Sequence, residues 1–227
     1  IIKYKFIFLL LISLDMSAAL IKDYVARYSF KSDEISINGI RKLTTQDQGY
    51  ELSFEAKSMI AKLGFNSSFV VSEDQVISKG YMVKIKPRFV KRDQSIDYNY
   101  NKKQITSLGR NSWGVEFDPI ESPLDPMNAQ IQIRLNLLKG VNEFSLKLVE
   151  MKNGEIQDNF YKIIGSDLCV VGEKEYACTI LKRNREKEGR ETLYYLAPEL
   201  DYMFLKIIDT SPEREQKLEL IEILSLG

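Results

Sequence analysis

The chain has 227 residues, 44% of them hydrophobic and 11% aromatic, with 32 basic residues against 32 acidic ones. The apolar share is enough for a core and excludes a disordered polymer, while the balanced charge gives no net pull toward nucleic acid or an anionic surface. Histidine is absent altogether and there are only two cysteines, which removes Ser-His-Asp and Cys-His nucleophiles, histidine-ligated metals and four-thiolate zinc.

Residues 1–19, IIKYKFIFLLLISLDMSAA, have the layout of a secretory signal peptide. Lys3 and Lys5 give the positive region, Phe6–Leu14 the apolar run, and Ser17 and Ala19 the small residues that cleavage before Leu20 needs. The run is shorter than the roughly 20 residues of a spanning helix. The competing reading is a buried strand or helix. The first reading implies export to the periplasm and a single mature domain over 20–227, no longer an integral membrane protein once processed.

Alternation of period two then dominates. Tyr24, Ala26, Tyr28 and Phe30 share one strand face, as do Tyr50, Leu52 and Phe54. Tyr81, Val83 and Ile85 alternate with Lys84 and Lys86, and Phe144, Leu146 and Leu148 with Ser145 and Lys147. Turn signals fall at Asn38-Gly39, Asn153-Gly154 and Gly172, so the connections read as antiparallel. A helical turn is weighed over Ala56–Leu63. One clear helix follows Asp125, a capping residue, and Pro126, which suits a first turn. Met127, Ile131, Leu135 and Leu138 recur at helical spacing before Gly140 stops the run. Strands 193–197 and 202–208 are apolar on both faces, and the helix is the obvious cover for one of them.

Candidate chemistry is sparse. Glu199 and Asp201 sit two residues apart, which in an extended chain sets them roughly 6.5–7 Å apart on one side. That lies inside the range of about 5–9.5 Å seen for glycosidase carboxylate pairs, yet Pro198 at a strand end also makes an ordinary corner. The corner is the more economical reading. Lys84, Lys86 and Arg88, extended by Lys91 and Arg92, form either a solvated face or a landing strip for anionic head groups. KRNREKEGRE, residues 182–191, reads as an exposed hairpin tip, and Trp113 as a core or lid aromatic. No phosphate loop, EF-hand or zinc spacing occurs, so no cofactor and no metal are expected. A two-residue turn at Glu173-Lys174 would set Cys169 opposite Cys178. An oxidising compartment permits a disulfide there, and two small buried thiols fit the same pattern.

TLYYLAPELDYMFLKII, ending at Ile208, resembles the closing signature of an exported bacterial family, domain-of-unknown-function family 3108. Tyr195 stands where that family usually has Trp, and Phe204 where it usually has Pro. Lys86-Pro87-Arg88-Phe89, Ile96-Asp97-Tyr98, ESPLDPMNAQIQIRLNL and IIGSDLCVVGEKEYACTILKRNR resemble further family elements in the same order. The resemblance implies a mostly β fold: a single large curled antiparallel sheet, an open barrel, with one main α-helix in or over its concavity. In outline that is similar to periplasmic lipoprotein carriers, a likeness of fold and not of function.

The leading expectation is a non-enzymatic periplasmic protein that binds an apolar or lipid-like ligand or an envelope partner, with no nucleic-acid partner. Tyr195, Phe204, Leu135 and Leu138 are the expected lining of a pocket in the concavity. The alternative is a structural interaction protein whose concavity is filled by its own helix. A carboxylate hydrolase on Glu199 and Asp201 comes third.

Overall fold

The structure is a computed structural model that describes residues 21–33, 35–59, 61–87, 92–184 and 189–227. The leader over 1–19, Arg88 and Lys91 of the basic row, and the middle of the 182–191 tip lie outside the described residues.

Fourteen strands make one antiparallel sheet. The first half comprises β1 (Tyr24–Ser32), β2 (Ser36–Gln46), β3 (Gly49–Lys57), β4 (Ala61–Ser72), β5 (Gln75–Pro87), β6 (Arg92–Asn99), β7 (Gln104–Gly109) and β8 (Trp113–Glu116). After the one α-helix among the described residues, α1 (Asn128–Leu138), come β9 (Glu143–Val149), β10 (Ile156–Val171), β11 (Lys174–Asn184), β12 (Glu191–Ala197), β13 (Met203–Ser211) and β14 (Arg214–Leu226). Each strand pairs with its neighbours in sequence on either side of the helix, and β1 also pairs with β14. The first and last strands therefore lie together in the middle of the sheet, and β8 and β9 are its two edges.

Alternation decides which side of each strand is covered. In β2, Ile37, Gly39, Arg41 and Leu43 are buried while Ser36, Asn38 and Lys42 are exposed. The Asn38-Gly39 pair is no turn. Gly39 lies inside β2 because a Cβ there would come within 2.5 Å of the Phe54 ring on β3. The weighed helical turn over Ala56–Leu63 is also corrected: Ala56 on β3 faces Leu63 on β4 across a hairpin. Lys84 and Lys86 are exposed on β5.

The helix occupies the concavity and is buried almost all round, including Ile131, Ile133, Arg134, Leu135 and Leu137. A helix covered on every side needs apolar residues beyond one stripe, which is why Ile133 and Leu137 fall off the main one. Asp125 caps it: its Oδ1 accepts from the amides of Met127 at 2.7 Å and Asn128 at 2.9 Å. Gly140, at φ +76°, ends it.

The sheet curls without closing, and the gap between β8 and β9 is bridged by other means. Leu124 exchanges backbone bonds with β9, donating to Lys147 and accepting from Val149. The Met151 carbonyl accepts from Gln94 Nε2 at 2.7 Å and Trp113 Nε1 at 3.2 Å. The Trp113 ring lies over Gly154, where a Cβ would fall 2.5 Å away. Trp113 thus acts as the lid aromatic of the seam.

Candidate ligand-binding groove

Strands β10 and β11 outrun their neighbours. Within the sheet β9 pairs only with Ile156–Lys162 and β12 only with Thr179–Arg183. Among the described residues the remaining hairpin, Gly165 to Cys178, is a two-stranded arm to which no third strand pairs, packed near β14 and the Pro198–Leu200 turn. A two-stranded ribbon is marginal alone in water, and this one is tied by a disulfide between Cys169 and Cys178 with a Cα separation of 5.9 Å. The expected turn is one residue too far along, which puts the expected register off by two. Gly172 takes the first turn position at φ +61°, so Val171 faces Lys174, Cys169 faces Tyr176 and Cys178 faces Asp167. The cysteines are diagonal neighbours on the covered face, together with Val171 and Tyr176.

Between that face and β14 runs a groove of about 610 Å³. Its walls include Val171, Tyr176, Leu200, Ile221, Ile223 and Leu226. Ile221 is 37% and Leu226 53% exposed. Glu222, the acidic side chain on the β14 wall, is taken up by Arg27. Glu173 and Lys174 at the tip of the arm and Ser225 on β14 also line it, so the groove is mostly apolar with a charged end.

At one end stands the acidic corner. Residues Pro198–Leu200 form a single 3-10 turn, followed by Asp201 and Tyr202 at φ +51° and +56°. Two consecutive left-handed residues without glycine cost free energy, and backbone bonds from Asp201 to Pro198 and Tyr202 to Ala197 hold them. Arg134 of α1 donates from Nε to the Asp201 carbonyl at 2.9 Å. Glu199 is exposed, and the Asp201 carboxylate is 3.5 Å from Lys22 Nζ. The pair builds the bend between β12 and β13.

Two arginines are the residues the sequence reading missed. Arg41 is 2% exposed and Arg134 3%. Arg41 donates to the Tyr24 hydroxyl at 2.8 Å and to Gln130 at 2.7 Å; Arg134 stacks over the Tyr24 ring at 5.7 Å. Burial pulls the Arg134 guanidinium below its usual range, opposed by the Tyr24 and Tyr28 hydroxyls. The signal was in the pattern. Arg41 shares the inward parity of Ile37 and Leu43, and Arg134 lies between Ile133 and Leu135 in a helix buried on nearly every side.

The four expected lining residues do not come together around the groove. Leu135 and Phe204 are buried in the interior, at 1% and 3% exposure, where α1 fills the concavity. Tyr195 lies on the opposite face of β12 from Tyr194, beneath Lys206 Nζ at 4.3 Å. Leu138 is at the C-terminal end of α1, 38% exposed. Among the described residues, no group of three or more acidic or cysteine side chains is placed to hold a metal ion, and no helix is long and apolar enough to cross a membrane.

No family model matches the chain, and no curated protein matches it in sequence. The resemblance to domain-of-unknown-function family 3108 therefore rests on the quoted motifs alone, and membership is not shown. Among solved structures the chain is similar to the crystal structure of a beta-barrel-like protein of domain of unknown function DUF1849 from Brucella abortus. The TM-score is 0.61, with 8% sequence identity, over 90% of this chain and 99% of that one. At that identity the likeness defines a class by fold: barrel-like, mostly β, with one open curled sheet.

Proposed function

We propose that this is an exported, non-enzymatic binding protein of the domain-of-unknown-function family 3108 type, which takes an acyl-like ligand in the groove between the β10–β11 arm and β14. One observation carries the reading: a groove of about 610 Å³ with mostly apolar walls, inside the ~300–1,000 Å³ range of ligand pockets. Burying an acyl chain there contributes about 0.8 kcal/mol per methylene. The disulfide supports export, since such bonds persist in oxidising compartments such as the periplasm.

The test is thermal unfolding with dodecanol, an apolar chain without charge. At a hundredfold excess over Kd, preferential binding to the folded state raises Tm by roughly 5–10 °C for a chain of this size. Ile221→Glu, at an exposed wall position, abolishes that shift and leaves the unliganded Tm nearly unchanged. Absence of any shift contradicts the reading. A second reading, an interaction protein without ligand, is favoured by the near-complete burial of α1 in the concavity; it requires that no apolar chain shifts Tm.

A further inference from the structure

A second cavity, of about 100 Å³, adjoins the groove, and the two share Leu200 and Leu226 in their walls. Its other walls include Lys22, Tyr24, Arg134, Glu199 and Asp201. Arg134 is buried, and its Nη1 has no hydrogen-bond partner. Its Nε is spent on the Asp201 backbone carbonyl, while the Asp201 carboxylate lies beside Lys22. A guanidinium offers five donors in a rigid fork. A buried charged donor left without an acceptor is costlier than a neutral one, so this cavity wall is built for an anion.

We propose that the cavity holds the carboxylate of a single-chain fatty acid whose acyl tail lies in the groove; the proposal rests on the groove being the ligand site. The carboxylate accepts from the Arg134 fork, which the Tyr24 ring holds in place. Lys22, 63% exposed at its side chain, adds a second cation at the mouth. Size and charge select the head group. A space of about 100 Å³ takes a carboxylate but not a phospholipid head with two chains, and the two carboxylates lining it disfavour a dianion. Glu199 is solvent-exposed, so water and salt screen its repulsion, whereas the buried Arg134 charge is screened far less.

The experiment is calorimetric titration of the full chain at pH 8 with dodecanoate, dodecanol and dodecylamine. Dodecanoate binds about tenfold or more tighter than dodecanol, as one or two charge-assisted hydrogen bonds require, and the amine no tighter than the alcohol. Arg134→Gln removes the preference and leaves dodecanol binding intact. If that variant does not fold, Lys22→Gln serves instead and cuts the preference severalfold; an unchanged preference there overturns the assignment. Equal affinities for all three probes overturn the carboxylate site but leave the groove standing. Binding of none overturns both, and a two-chain phospholipid binding more tightly than dodecanoate overturns the single-chain assignment.

Discussion

Asp125 is fully enclosed at the start of α1, and its carboxyl does two jobs. One oxygen caps the helix, and the other accepts from Ser67 Oγ of β4 at 2.6 Å, pinning helix to sheet. Burial outweighs these bonds and pushes the carboxyl up from 3.8 to about 7. Tyr81 and Tyr98 face it, and burial holds both phenols well above their usual range, so neither supplies a charge near neutrality. Below about pH 4 the folded and unfolded carboxyls are both protonated. Between there and about pH 7 the folded state keeps a proton that the unfolded chain has released. Stability therefore falls as pH rises through that window, by at most about 4 kcal/mol, and levels off above it. Asp125→Asn keeps a capping oxygen and cannot ionise. Denaturant unfolding from pH 4 to 8 is expected to show a flatter profile for the variant than for the wild type; parallel profiles contradict the assignment. The cap was legible in the sequence from Asp125-Pro126. Its burial was not, because that depends on where β4 and β5 run.

At the scale of elements, the arm behaves as a unit apart. Only β10 and β11 hold it within the sheet, and the Cys169–Cys178 bond closes a loop with a sequence separation of 9. Closing so short a loop contributes roughly 2–3 kcal/mol. Opening the arm breaks no pairing with a third strand, so the effect is expected in local stability. In a Cys169→Ser, Cys178→Ser double variant, amide exchange over 165–178 rises about thirtyfold or more while β1–β8 and α1 are unchanged. A uniform rise across the chain, or none, contradicts an independent arm. The proximity of the two cysteines was readable from hairpin patterning. The register was not, because either of two adjacent residue pairs can form the turn, and one slip moves every partner. Gly39 misled for a related reason: a glycine under an aromatic ring and a glycine in a turn look alike without the neighbouring strand. The corner at Pro198 to Asp201 was legible, since proline and two polar residues interrupt two apolar runs there.

For the whole molecule, period-two alternation and the absence of βαβ spacing were enough to indicate an antiparallel sheet with one helix. The sequence reading indicated antiparallel connections but no strand order; in the structure the short connections set the order within each half, and the halves meet at β1 and β14. What sequence could not decide was whether the helix leaves a pocket or fills the concavity; α1 carries the chain from one sheet edge to the other and fills it on the way. The proposed binding space therefore lies outside, in the groove between the arm and β14, and of the residues expected to line an interior pocket Leu135 and Phe204 are core while Tyr195 and Leu138 are not. Native mass spectrometry of the protein purified from the cells that produce it tests this account most directly. The groove reading predicts a bound population carrying the added mass of an acyl-chain ligand, released by mild activation and lost in Ile221→Glu. A single unliganded mass in both proteins, from cell extracts containing free fatty acid, would contradict it.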